Sequence, residues 1–267
     1  MTAIEVTSPI DGVVQVTMNR PGSLNTLTAK AVAEFRDALT GIAADRSCRV
    51  VVLTGAGRVF SAGLDLHGYG DDEQIAAEGE VGRTLSRQQD IAGLAQQLHE
   101  LPQPVIAAVN GPAAGGGLAL VCASDIRLAA TPAIFAVSFI RAGFSACDIG
   151  VSWLLPRIIG AGAAHELMLT GRRFDAAEAH RIGLVTAVVE PGELLDAALA
   201  RAREIMLNPP LSVELTKQGM WMALETPSFD ASVAFENRQQ VFTAFTEDRR
   251  EATAAFLEKR PPVYRRR

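Results

Sequence analysis

The segment Ala108-Val-Asn-Gly-Pro-Ala-Ala-Gly-Gly-Gly-Leu-Ala-Leu120 constrains this chain more than any other. The run Val105–Val109 is continuously apolar and of strand length, which predicts a strand buried on both faces. Gly115, Gly116 and Gly117 follow, and then an apolar stretch predicts a helix through Ser124. Glycine inside a helix costs roughly 1 kcal/mol relative to alanine. Three in a row at a helix start imply that something comes very close. It is either another backbone or a negative charge held by bare N–H groups at the positive helix end. No Lys with Ser or Thr follows in phosphate-loop spacing, which excludes a triphosphate site of that kind.

A second segment, Thr54-Gly-Ala-Gly-Arg-Val-Phe-Ser-Ala-Gly-Leu-Asp65, also breaks ordinary patterning. Gly55 and Gly57 follow the apolar run Arg49–Leu53, as in a dinucleotide fingerprint, but Phe60 occupies the third glycine position and no helix opens there. Around these two segments the chain alternates strands and helices. Ile4–Ser8 and Val13–Asn19 read as a hairpin turning at Asp11-Gly12. Thr28 caps an amphipathic helix to about Ala44 with Val32, Phe35, Leu39 and Ile42 on one face. Gly68–Gly82 is rich in Gly and acids and reads as a mobile loop. Ile91, Leu94, Ala95, Leu98 and Leu101 mark a helix ended by Pro102 and Pro104. Short strands are predicted at Asp125–Ala129 and Ile134–Val137. Beyond Asp148 the pattern is helical except for a strand at Leu184–Val189. The fold class is therefore α/β, with a core over 1–205 and a helical C-terminal region over 206–267.

Composition narrows the function. The 267 residues carry a formal net charge of −5, so no global basic field exists to hold nucleic acid or an anionic membrane. Cys48, Cys122 and Cys147 form no Cys-x-x-Cys pair, and the four histidines show no metal-ligand spacing. No metal site and no separate cofactor are expected. No secretory leader and no membrane-length apolar run is evident, and the expected location is cytoplasmic.

The ordered set Asn19-Arg20-Pro21, Leu24-Asn25, Phe60-Ser-Ala-Gly-Leu-Asp65, Ala108-Val-Asn-Gly with Gly115–Gly117, Leu169-Thr-Gly171, Ala176-x-x-Ala179, Ile182-Gly183-Leu184-Val185 and Phe256-Leu-Glu-Lys-Arg-Pro resembles the crotonase (enoyl-CoA hydratase/isomerase) superfamily over nearly the whole chain. The resemblance implies repeated ββα units and a helical C-terminal region that forms a homotrimer or a dimer of trimers. It implies an acyl-CoA thioester as substrate, with coenzyme A bound as part of it, and a place in fatty acid metabolism. It also implies that the N–H groups of Ala62 and Gly116 form an oxyanion hole, that backbone groups at Ala62 and Leu64 meet the adenine, and that Phe256 and Lys259 meet the nucleotide from a neighbouring subunit. Lys259 reads equally well as a solvated tail charge.

The two glutamates of the hydratases are replaced here by Ala119 and Phe139, and neither moves a proton. One acid remains nearby. Asp148 matches an aspartate used as a base by dienoyl-CoA isomerases, and it also reads as the N-cap of a helix beginning near Ile149. His67 and Tyr69 follow on the loop as weaker candidates, while Asp65 reads as a turn cap and Trp153 and Trp221 as packing residues. The expected activity is single-carboxylate proton transfer on a thioester enolate. A hydratase using an acid from Asp71-Asp72-Glu73 or Glu236, and a catalytically inert acyl-CoA binder, are the alternatives.

Overall fold

The computed structural model describes residues 2–267. Among the described residues, nine strands lie at β1 Ile4–Ile10, β2 Val13–Met18, β3 Val50–Gly55, β4 Val105–Val109, β5 Ala113–Ala114, β6 Ile126–Ala130, β7 Ile134–Ala136, β8 Arg173–Asp175 and β9 Ala187–Val189. The helices are α1 Ala29–Ala44, α2 Asp72–Glu78, α3 Glu80–Glu100, α4 Gly116–Ala123, α5 Val151–Ile159, α6 Ala161–Thr170, α7 Ala176–Arg181, α8 Leu194–Met206, α9 Pro210–Glu225, α10 Phe229–Ala244 and α11 Glu247–Glu258. The main sheet runs β1-β2-β3-β4-β6-β9; β1 is antiparallel to β2 and every other pairing is parallel. A small sheet, β5-β7-β8, stands beside it.

The apolar runs of β3 and β4 are explained by helices on both faces. Side chains alternate across a strand. Val51, Leu53, Val105, Ala107 and Val109 thus enter the larger core with Phe35 of α1, Leu94 of α3 and Leu118 of α4. Val50, Val52, Ile106 and Ala108 enter a smaller core with Leu194, Ala198 and Ala202 of α8. The predicted hairpin forms, with Gly12 at φ +79° in its turn. Thr28 caps α1, its hydroxyl accepting from the Ala31 N–H at 3.3 Å, and the four predicted residues are buried.

Two expectations fail. The stretch 68–82 is largely helical, supplying α2 and the first turn of α3. Strand β8 was not expected; it pairs with β7 and brings Phe174 onto Phe135 at 5.4 Å between ring centroids.

One buried ion pair keys α9 to the core. Lys217 Nζ donates to Asp125 Oδ2 at 2.8 Å and to the carbonyls of Leu98 and Gln103 at 3.0 Å. Asp125 also accepts from the Val105 N–H and from Trp221 Nε1. With every Lys217 donor satisfied and the pair almost fully buried, removing one partner leaves a buried unpaired charge. Lys217→Met is expected to lower stability by about 3–5 kcal/mol in urea unfolding; a loss below about 1 kcal/mol would mean that water reaches Asp125.

Candidate active site

The segment 61–64 lies against the N-terminus of α4, and glycines permit the contact. A Cβ on Gly117 would stand 2.2 Å from the Ser61 carbonyl oxygen. A Cβ on Gly63, which sits at φ +86°, would stand 2.9 Å from the Gly116 nitrogen. Asn25 holds the approach from below. Its Nδ2 donates to the carbonyls of Ala56 and Val59 at 2.9 and 2.7 Å, and its own carbonyl accepts from the Ser61 hydroxyl at 2.8 Å. Helix α4 is buried along all eight residues.

The amide pairing corrects one expectation. The Ala62 N–H already donates to the Leu24 carbonyl at 3.0 Å, so it is not a free donor. The chain pairs with residue 27 on both sides of Leu64: Leu27 N–H donates to the Gly63 carbonyl and Asp65 N–H to the Leu27 carbonyl. This turns the Leu64 N–H the other way. Among the described residues, the N–H groups of Leu64 and Gly116 have no partner. Both residues line a cavity of about 100 Å³, walled elsewhere by Leu66, Gln88, Ile91, Phe139, Phe144, Asp148 and Ile149.

Asp148 reaches this cavity, but not as a helix cap. The N-cap of α5 is Gly150, and no side chain caps that helix. The Asp148 carboxylate accepts from the Ile149 N–H at 2.8 Å and from Gln88 Nε2, both at Oδ1. Ile149 has φ +47°, a left-handed conformation that a β-branched residue adopts at a cost of about 1–3 kcal/mol. Its Cδ1 lies 3.4 Å from where a Cβ on Gly116 would be, so this strained turn brings Asp148 to the α4 N-terminus.

The other candidates separate. Tyr69 is buried in the main core, not in the cavity, and burial with the nearby Asp90 and Asp71 pushes its hydroxyl up to about 12. His67 is exposed and does not line the cavity. Asp65 is the expected turn cap, accepting from the His67 N–H at 3.1 Å and the Thr26 hydroxyl at 2.8 Å. Burial raises its pKa, but these bonds and the Arg20 charge outweigh that and leave it below the usual carboxylate range. Ala119 is buried behind the cavity and the Phe139 ring lies against Gly115. Phe256 and Lys259 are exposed at the end of α11 and touch neither the cavity nor its rim within one chain. Asp72, Glu73 and Glu236 are exposed and away from the lining.

Asp71, the remaining acid of that loop, is only 2% exposed. It accepts from Arg83 Nε at 2.9 Å and from Arg87 Nε and Nη2 at 2.9 and 2.7 Å. The clamp sets α3, whose next residue is Gln88. Burial raises the Asp71 pKa, yet the two guanidinium groups outweigh it and hold the carboxyl below its ordinary value.

Relatives of this chain are recognisable along nearly its whole length. A family model described as enoyl-CoA hydratase/isomerase matches residues 10–267. A Mycobacterium tuberculosis protein named "Probable enoyl-CoA hydratase EchA12" is 40% identical over 268 residues, covering 99% of this chain and 93% of its own length. The 1,2-epoxyphenylacetyl-CoA isomerase of Escherichia coli is 37% identical, covering 95% of each chain. Among solved structures, an enoyl-CoA hydratase from Bacillus anthracis superposes with a TM-score of 0.91 at 34% identity, over 99% of this chain and 100% of that one.

A carboxyl with a depressed folded pKa contributes stability above its unfolded value, near 4, and loses it as pH falls through the lower folded value. Hydrogen exchange across 66–90 is therefore expected to rise below about pH 4, and Asp71→Asn is expected to produce the same rise at neutral pH. Unchanged protection in Asp71→Asn would remove the clamp from the account of α3.

Proposed function

The chain belongs to the enoyl-CoA hydratase/isomerase family, and we propose that it moves a carbon–carbon double bond along the acyl chain of a coenzyme A thioester, with Asp148 carrying the proton. One observation carries this reading. Among the described residues, Asp148 is the only titratable side chain lining the cavity that also holds the unpaired Leu64 and Gly116 amides.

The step balances without a co-reactant. With a 3-enoyl thioester, the Asp148 carboxylate takes a proton from C2, and the C2–H electron pair delocalises onto the carbonyl oxygen as a dienolate. The two amides and the positive end of α4 stabilise that oxygen as its charge grows. The same carboxyl then returns the proton to C4, the carbonyl reforms, and the double bond lies between C2 and C3. Water is neither consumed nor released. Ala119 and Phe139 support this reading over hydration, which uses a second proton carrier to direct water.

A groove of about 500 Å³ shares Ala62 with the cavity and is flanked by Arg58 and Arg173. Both arginines are exposed, and neither pairs with a carboxylate among the described residues. This supports the groove as the place for the phosphates of coenzyme A. The three cysteines are free thiols, which supports a cytoplasmic location. Helix α10 buries no residue, and Phe229, Phe242 and Phe245 at its ends are 81%, 63% and 78% exposed. Exposed aromatic side chains of this size support a homotrimer or a dimer of trimers, and a stable monomer in sedimentation at micromolar concentration would count against it.

The reaction is tested on a panel of straight-chain 3-enoyl-CoA thioesters of increasing length, with the double-bond position read in the product. Asp148→Asn keeps the shape of the side chain and is expected to fold, to bind substrate nearly as well and to lose at least about 10²-fold in turnover. Gly116→Pro removes one donor at the first helical position, where proline is tolerated, and is expected to lose about 10²–10³-fold. Full turnover by Asp148→Asn would end the proton-shuttle reading. A hydroxyacyl product would favour a hydratase, and no turnover by the wild type an inert binder.

A further inference from the structure

We infer that Gln88 is a positioning residue for Asp148 and that the two together assign its oxygens: Oδ1 is held by the protein and Oδ2 moves the proton. This rests on the proton-shuttle reading of Asp148. Both protein donors to this carboxylate, Gln88 Nε2 and the Ile149 N–H, converge on Oδ1. Oδ2 has no donor among the described residues. A carboxylate held at one oxygen by two donors is fixed in direction, and its other oxygen is left open to the substrate. Gln88 also lines the cavity, on a helix whose position is set one residue earlier by the Arg87–Asp71 bond. The Ile149 N–H comes from the strained turn and Gln88 from α3, so the carboxylate is held from two separate elements.

An amide suits this role because it donates without titrating. The charged groups nearby have other partners or face outward. On α3, Arg83 and Arg87 pair with Asp71, and Asp90 pairs with Arg36. Arg157 of α5 lies over the Trp153 ring, Asp65 pairs with Arg20, and Arg141, Cys147 and His67 are exposed. None of these lines the cavity.

The test is the pH dependence of turnover of the best 3-enoyl-CoA substrate by the full chain. Gln88→Glu sets a second carboxylate beside Asp148 and is expected to move the acid limb of kcat/KM upward by about one pH unit. Gln88→Ala removes one donor to the anion. It is expected to lower kcat about tenfold with KM nearly unchanged and to move the acid limb upward as well. Thermal midpoints close to wild type establish that both variants fold. If Asp148→Asn is inactive while both Gln88 variants keep the wild-type kcat and acid limb, Gln88 positions nothing and the inference is wrong. It is equally wrong if the variants only melt earlier, with no movement of the limb. If Asp148→Asn retains wild-type turnover, the shuttle reading itself fails and the assignment of its oxygens goes with it.

Discussion

The contact of the 61–64 backbone with the first turn of α4 is the constraint on which the rest of the site depends. It exists because no Cβ stands at Gly63 or Gly117, where one would meet a backbone atom at 2.9 or 2.2 Å. A clash of that size against backbone cannot be relieved by a rotamer change. Asn25 adds three hydrogen bonds that hold the approaching strand from its far side. Along 62–65, Ala62, Gly63 and Asp65 donate to the Leu24 carbonyl, the Ser61 hydroxyl and the Leu27 carbonyl, which leaves the Leu64 N–H free beside Gly116. The two donors proposed for the oxyanion are thus main-chain groups, placed by backbone contacts and by the Asn25 bonds.

The acid is held by a different principle. Asp148 sits on a turn that accepts backbone strain at Ile149, and its second restraint comes from α3. Helix α3 is in turn fixed at its N-terminal half by the buried Asp71 carboxylate between two guanidinium groups. Bidentate arginine contacts give direction as well as attraction. The Asp148 carboxylate lies where the two elements come together, bonded to the Ile149 N–H of the turn and to Gln88 of α3.

Much of this was legible in the sequence, and the failures have physical causes. Helix α1 shows its period because one face of it is buried, and strands β3 and β4 show as unbroken apolar runs because both of their faces are. The stretch 68–82 reads as loop because Gly68, Gly70, Gly79 and Gly82 interrupt it, and glycine has a weak local preference for helix. Its order comes from partners that Asp71 finds 12 and 16 residues later, which no local window sees. Strand β8 has three residues and no pattern to read. The glycine segments pointed to bare N–H groups, but the family motif pointed to Ala62, whereas the unpaired N–H is that of Leu64. That choice turns on the pairing of Ala62 with Leu24, a contact between residues 38 positions apart (62 − 24). Gln88 carried no signal, since an exposed glutamine on a helix is an ordinary surface residue and only the fold brings it to Asp148.

These two principles of placement explain how one scaffold accommodates different proton chemistry. The amide pair is tied to backbone contacts that a side chain at Gly63 or Gly117 would break, so in the proposed reading its hold on a thioester oxygen is set by the fold. The acids are side chains on the surrounding walls, and a wall position can be emptied or filled without disturbing the amides. Here Ala119 lies buried in α4 and Phe139 closes the wall beside Gly115, so neither of those positions supplies a proton. The turn at 148–150 supplies the carboxylate from another wall, beside α3. In the proposed reading a base on that wall meets a different part of the acyl chain, which changes the carbons that exchange protons, while the charge at the thioester oxygen falls to the same two amides.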